Sequence, residues 1–232
     1  MKTLKIVGEF PQEIFAVDEV GRGPLSGPVV IGAVRVLIQD SDSYKKLLKF
    51  LKLKKVGDSK ELSGHERAAI LKELGCSIDC YRKKCQVTLK GIVIDYVTWE
   101  MDHEVIDQEN ILAASLRGMK EAALFLSQKE NVTSTLLIDG PHALRWGNEV
   151  SPFNEIPLVK GDSKSLLIGL ASIIAKEKRD AFMKEMHELY PQYGFDTHSG
   201  YGTKFHREAI KVHGPSPIHR KTFAGVKEYI RS

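Results

Sequence analysis

Apolar residues along this chain fall into short blocks of two kinds, some with the alternation or β-branched density of strands and some with helical spacing. Residues 15–20 and 28–37 are rich in Val, Ile and Phe between glycine and polar breaks, which predicts two strands paired as a hairpin. A third strand is predicted over 76–87. Between them lies a lysine-rich stretch ending at Asp58, Ser59 and Lys60, after which Ser63 is suited to cap a helix running through Glu66 to Leu71. Residues 110–127 place Ile111, Leu112, Ser115, Leu116, Met119, Ala122, Ala123 and Leu126 on one helical face. The uniformly apolar block 134–139 follows, and a helix leading into such a block predicts a parallel strand buried on both faces. A short strand at 157–160, a helix from 165 to about 190 ended by Pro191, and a helix over 203–213 complete the pattern. The expected fold is α/β: a mixed five-stranded sheet, three antiparallel strands extended by parallel ones, flanked by helices and closed by a C-terminal helical cap.

At 232 residues the chain is expected to form one unit over 1–232, with about 190–232 as a C-terminal extension. The net charge of +4 says little, but its distribution says more. Residues 45–60 hold seven lysines and one acid, and residues 204–231 hold seven Lys or Arg against Glu208 and Glu228. Such segments attract a polyanion, although charge runs are also what solvated helix faces look like. The three cysteines, Cys76, Cys80 and Cys85, match neither a zinc pattern nor a disulfide framework. Alternation through Cys76–Tyr81 suggests a strand with free thiols, hence a reducing compartment. The polar N-terminus does not resemble a signal peptide, and no apolar stretch approaches the roughly 18 residues of a membrane span, so a cytoplasmic protein without a membrane segment is expected.

The chemistry concentrates where the predicted strands end. Asp18 and Glu19 close the first strand, just ahead of Gly21-Arg22-Gly23. Adjacent strand residues point to opposite faces, so both acids reach one pocket only from a strand end or a bend, and the glycines supply one. Glycine also lets main chain approach a ligand closely, which marks Gly21, Arg22 and Gly23 as a substrate-contacting loop. Asp139 and Asp162 terminate or follow two further predicted strands. Taken singly, Asp139 reads as a turn residue and Asp162 as a helix cap. Taken together, four acids at neighbouring strand ends repel one another unless a hard divalent cation is present, and an oxygen-only donor set favours Mg²⁺ or Mn²⁺. Two such cations could serve in-line phosphodiester cleavage. His198, His206, His213 and His219 match no common zinc spacing.

The run Asp18-Glu19-Val20-Gly21-Arg22-Gly23-Pro24-Leu25-Ser26-Gly27-Pro28-Val29 resembles the signature of bacterial ribonuclease HII. Asp58-Ser59-Lys60, Asn110-Ile111, Leu137-Ile138-Asp139-Gly140, Lys160-Gly161-Asp162-Ser163, Ala171–Lys176, Arg179-Asp180, Tyr190–Phe195, Gly200–Thr203 and His219-Arg220 follow in the family's order, so the resemblance spans nearly the whole chain. It implies a ribonuclease H-like fold and an endonuclease acting on RNA–DNA hybrids and on single ribonucleotides in duplex DNA, leaving 3′-hydroxyl and 5′-phosphate ends. Asp18, Glu19, Asp139 and Asp162 would be its metal-binding catalytic acids, and the 21–23 backbone would read the ribose 2′-OH. Tyr201 would read the ribonucleotide–deoxyribonucleotide junction, its rival reading being a core aromatic. Lys60, Asn110, Ser163 and Lys176 would contact phosphates or position them, Lys176 having an ion-pair role as its alternative. The extension from about 190 would bind substrate, and a monomer is expected. Three departures stand out: Pro141 where asparagine is frequent, Gly57 before Asp58 where asparagine is usual, and Ser199 where lysine is frequent. A ribonuclease HIII-like enzyme is the nearest rival. It is disfavoured by the aspartate at Asp162 and by the short stretch before Asp18, which leaves little room for that family's N-terminal domain. A noncatalytic hybrid-binding protein is the other.

Overall fold

The computed structural model describes residues 10–58, 61–127 and 133–230. Its sheet has six strands: β1 (Gln12–Val20), β2 (Val29–Ile38), β3 (Cys85–Leu89), β4 (Ile92–Met101), β5 (Thr133–Asp139) and β6 (Asn154–Leu158), in the order β3-β4-β2-β1-β5-β6. The first four are joined antiparallel; β5 runs parallel to β1 and β6 parallel to β5. The expected five strands become six because the predicted 76–87 strand is two things. Residues before Cys85 form a loop, and the real third strand turns at Lys90 and Gly91, both at positive φ, into the unforeseen β4. Positive φ at both turn residues matches the right-handed twist of a two-residue hairpin.

The thiols also differ from expectation. Cys80 and Cys85 are joined as a disulfide across that loop, and Cys76 is free. The free-thiol argument for a reducing compartment therefore fails for two of the three.

Strand alternation sorts side chains into two cores. Ile14, Ala16, Val34, Val36 and Leu137 face one layer, built from α1 (Ser41–Leu53), α2 (Gly64–Leu74) and the first half of α6 (Leu166–Leu189). Phe15, Val17, Ile31, Ala33, Leu136 and Ile138 face α4 (Ile111–Leu126), which follows the short α3 (His103–Glu109). The lysine-rich stretch is thus α1. Its Tyr44, Leu47, Leu48 and Leu51 follow helical spacing into the core, and its lysines take the remaining positions. Asp40 caps it, accepting from Asp42 N and Ser43 N at 2.9 and 2.8 Å. Ser63 caps α2 with Glu66 in a reciprocal capping box.

Helix α6 is buried all round from Leu166 to Ala175. Gly32 on β2 permits this contact, because a Cβ there would run into the Ala171 backbone carbonyl. The distal half of α6, the Leu25 loop and the C-terminal segment carrying α7 (Phe195–His198) and α8 (Lys204–His213) share a third small core around Met183, Tyr193, Phe195 and Ile210. The remaining helix, α5 (Gly161–Lys164), is a single turn between β6 and α6. Among the described residues, no helix is long and apolar enough to cross a membrane.

Candidate active site

Strands β1 and β5 run side by side with Val17 opposite Ile138, so the next residues, Asp18 and Asp139, come together where the β1–β5 pairing ends. One oxygen from each of Asp18, Glu19 and Asp139 lies within 4.8 Å of the others. Glu19 joins them although β1 pairs regularly through Val20; its side chain is one methylene longer, it sits one residue from the strand end, and the chain bends just beyond at Gly21, φ 98°. Its N–H donates to Asp18 Oδ1 at 2.8 Å, and Arg22 Nη1 donates to its Oε1 at 3.2 Å.

The cluster is short of positive charge. Burial, followed by the charges of Asp139 and Glu19, pushes the Asp18 carboxyl well above the carboxylate range, with the Ser172 hydroxyl opposing. Burial carries Glu19 up to about 7, Asp139 adding to the shift and Arg22 working against it. Three convergent carboxylates, with Asp18 and Glu19 resisting ionisation, are a donor set that fits a hard divalent cation.

Asp162 is buried at the start of α5, and its Oδ1 accepts from Ser163 N at 3.0 Å. The peptide before it reaches the cluster, Gly161 N donating to Asp139 Oδ1 at 2.5 Å, but the Asp162 carboxylate lies outside the group of three. Around the acids opens a cleft of about 370 Å³, lined also by Gly21, Arg22, Gly23, Arg67, Ser172, Lys176 and Tyr201. Tyr201 is 48 % exposed, so it is not a core aromatic.

A family model described as ribonuclease HII matches residues 15–226. The chain belongs to the ribonuclease HII family. Its relatives include the ribonuclease HII of Desulfotalea psychrophila, 41 % identical over 219 residues covering 94 % of this chain and 83 % of that protein. The ribonuclease HII of Caldanaerobacter subterraneus subsp. tengcongensis is 39 % identical over 210 residues, 90 % and 73 % of the two chains. The fold matches the crystal structure of ribonuclease H2 from Pyrococcus horikoshii OT3 with a TM-score of 0.62 at 22 % identity, covering 94 % and 96 %. It also matches Bst-RNase HIII in complex with Mn²⁺, at 0.63 and 17 % identity, covering 94 % and 69 %.

The other ribonuclease HII positions distribute unevenly. Lys176 lines the cleft and pairs with Asp180 at 2.5 Å, the ion pair that was its alternative reading. Asn110, at φ 73°, caps α4 by accepting from Leu112 N and Ala113 N, and it does not line the cleft. Ser163 donates to Lys160 O at 2.9 Å, also outside it. Lys60 lies outside the described residues. Of the two basic segments, α1 exposes Lys45, Lys46, Lys49 and Lys52, whereas Arg220 of the second is fully buried and offers nothing to a polyanion.

Sequence reasoning missed Ser172 and Arg67. Ser172 lies one helical turn before Lys176, and that spacing was the available signal. Arg67 reaches the cleft from α2, held by Glu177 and Asp180 at 2.8 Å each; nothing local announces a partner more than 100 residues away.

Beneath Tyr201, His206 and His219 face each other through their Nε2 atoms at 3.0 Å. Burial lowers them to about 4 and about 3, their mutual repulsion adding to His219. A histidine near 6.5 when unfolded but lower when folded binds more protons in the unfolded state below that pH. The contribution of this pair to stability is therefore expected to be lost as the pH drops from about 6.5 toward 4, against the opposite contribution of Asp18 and Glu19. Urea midpoints of the parent and of His206→Gln at pH 7 and 5 isolate it: the parent's midpoint should fall relative to the variant's as the pH drops.

Proposed function

We infer from the cleft and from family membership that this protein is a metal-dependent endonuclease hydrolysing the RNA strand of RNA–DNA hybrids. In the finer reading it also cuts at single ribonucleotides in duplex DNA and leaves 3′-hydroxyl and 5′-phosphate ends. The convergence of Asp18, Glu19 and Asp139 beside the Gly21–Gly23 loop carries this reading, because it places acidic ligands next to main chain able to approach a ribose. Those three acids, with Asp162 as the fourth, would hold Mn²⁺ or Mg²⁺. Bound there, the cations supply Lewis-acid chemistry, activating water and offsetting charge on the departing oxygen.

The chain's own residues do the rest. Lys176 and Arg67 bring positive charge to the cleft wall where a phosphate would sit. The 21–23 loop reads the 2′-OH, the feature that distinguishes RNA from DNA at one sugar. Tyr201 stacks at the junction, and Lys60, Asn110 and Ser163 are read as phosphate or positioning contacts. The segment from about 190 is read as the substrate-binding extension of a single 1–232 unit, and the protein as a cytoplasmic monomer.

The test is a duplex with one embedded ribonucleotide and its all-DNA counterpart, each incubated with Mn²⁺, Mg²⁺ or EDTA. Metal-dependent cleavage of the first alone, giving a nick whose 3′-hydroxyl and 5′-phosphate ends a ligase can reseal, is expected. Binding without cleavage in either metal would favour the noncatalytic reading. The ribonuclease HIII alternative is not favoured, since the matching family model and the curated relatives at about 40 % identity are ribonuclease HII.

A further inference from the structure

His219 and Arg220 are adjacent, both fully buried, and together reach the two recognition elements of the cleft from behind. Arg220 directs its guanidinium at the loop's carbonyls: Nη2 donates to Gly21 O at 2.5 Å, Nη1 to Arg22 O and Pro24 O at 2.9 Å each, and Nε to Gly27 O at 3.0 Å. Main chain adds to this, with Arg220 N donating to Leu25 O at 2.9 Å and Gly27 N to Ile218 O at 2.9 Å. A buried charge is costly unless its donors are met, and here backbone carbonyls of one loop meet them.

The histidine works on Tyr201. The Tyr201 carbonyl can only accept, so His206 Nδ1, 2.9 Å away, carries the proton. In a neutral ring that leaves His206 Nε2 an acceptor, and His219 Nε2 donates to it at 3.0 Å. His219 Nδ1 in turn accepts from Ser216 N at 2.8 Å. The tautomers are thus determined along a chain from Ser216 to the backbone of Tyr201.

We propose that His219 and Arg220 are positioning residues for substrate recognition: Arg220 holds the Gly21–Gly23 loop, His219 holds Tyr201 through His206, and the dipeptide sets the gap between them. The proposal rests on the reading of that loop and Tyr201 as the ribose-recognising elements. The gap is narrow, since a Cβ on Gly23 would lie 3.6 Å from the Tyr201 ring. Displacement of such a pair by about 1 Å can cost on the order of a hundredfold.

The experiment compares kcat/KM on a single-ribonucleotide duplex and on a continuous hybrid. His219→Leu breaks the chain at both ends, and His219→Gln keeps one donor and one acceptor. Arg220→Lys keeps the charge but not the planar fork. His219→Leu is expected to lower the single-ribonucleotide rate on the order of tenfold more than the hybrid rate, with His219→Gln restoring the ratio. Arg220→Lys acts on the loop and is expected to lower both rates, as Gly23→Ala does. Mn²⁺ should still raise each melting temperature. Adding Tyr201→Ala to His219→Leu should cost no more than Tyr201→Ala alone, and adding Gly23→Ala to Arg220→Lys no more than Gly23→Ala alone, because each pair acts on one element. A purely structural role would make His219→Leu lower both substrates equally and make both double variants additive; that result overturns the proposal. If His219→Leu does not fold, Arg220→Lys decides by its additivity with Gly23→Ala. If Tyr201→Ala itself leaves the ratio unchanged, the reading of Tyr201 fails; if Tyr201→Ala shifts it and His219→Leu does not, the positioning proposal alone fails.

Discussion

Asp18→Asn is expected to abolish most hybrid cleavage while making the metal-free protein harder to melt at neutral pH. Asp18 is the most deeply buried of the three clustered acids, and burial and two neighbouring carboxylates oppose its charge. Asparagine keeps the Oδ1 that accepts the Glu19 N–H, so the local backbone contact survives. What disappears is a buried negative charge that folding must otherwise desolvate beside its like. A cation offsets that charge, so Mn²⁺ should raise the melting temperature of the parent by mass action and that of the variant far less. Loss of a group that stabilises transition-state charge lowers rates on the order of 10² to 10³-fold. Thermal unfolding in EDTA and in millimolar Mn²⁺, paired with cleavage rates, checks both halves. A variant that cuts at the parental rate, or shifts with Mn²⁺ as the parent does, would place the metal site elsewhere.

Tyr201→Ala is expected to impair single-ribonucleotide substrates more than continuous hybrids. Loss of one stacking contact removes about 1–3 kcal/mol, or roughly 5- to 150-fold in rate. A hybrid offers many registers in which another ribose meets the site, whereas an isolated ribonucleotide offers one. Gly23→Ala should act differently. Its added Cβ meets the Tyr201 ring at an ordinary van der Waals distance, so the fold tolerates it, but it occupies space a ribose would use. Cleavage of every ribonucleotide-containing substrate should fall, with metal-dependent stabilisation retained in both variants. Equal rates for Tyr201→Ala and parent on a duplex with one ribonucleotide would remove Tyr201 from recognition.

Much of this site was legible because its chemistry sits in short contiguous runs. Asp18, Glu19 and the glycines after them form one such run, and Asp139 ends a strand whose apolar density is unmistakable. The elements that escaped did so for identifiable reasons. The core stripe of α1 was masked by the lysines sharing its turns. Strand β4 carries Asp95, Thr98 and Glu100 among its apolar residues, and the buried Asp95 is met by Arg35 of β2 and Gln86 of β3, each at 2.8 Å. Pairing of Cys80 with Cys85 depends on a loop that alternation had suggested was a strand.

The sequence by itself determined the central hairpin, the long helices 110–127 and 165–190 to within a residue or two, and the family, since periodicity and motif order are local properties of the chain. Only the tertiary structure decided which acids converge, leaving Asp162 beside the cluster and its carboxylate outside the group of three. It also gave Asn110 the cap of α4 and buried Arg220 of the second basic segment against the 21–27 loop, because the carbonyls that Arg220 meets lie more than 190 residues earlier in the chain. A side chain's type states what it can bond; which partners stand within reach is set by how the sheet and helices pack.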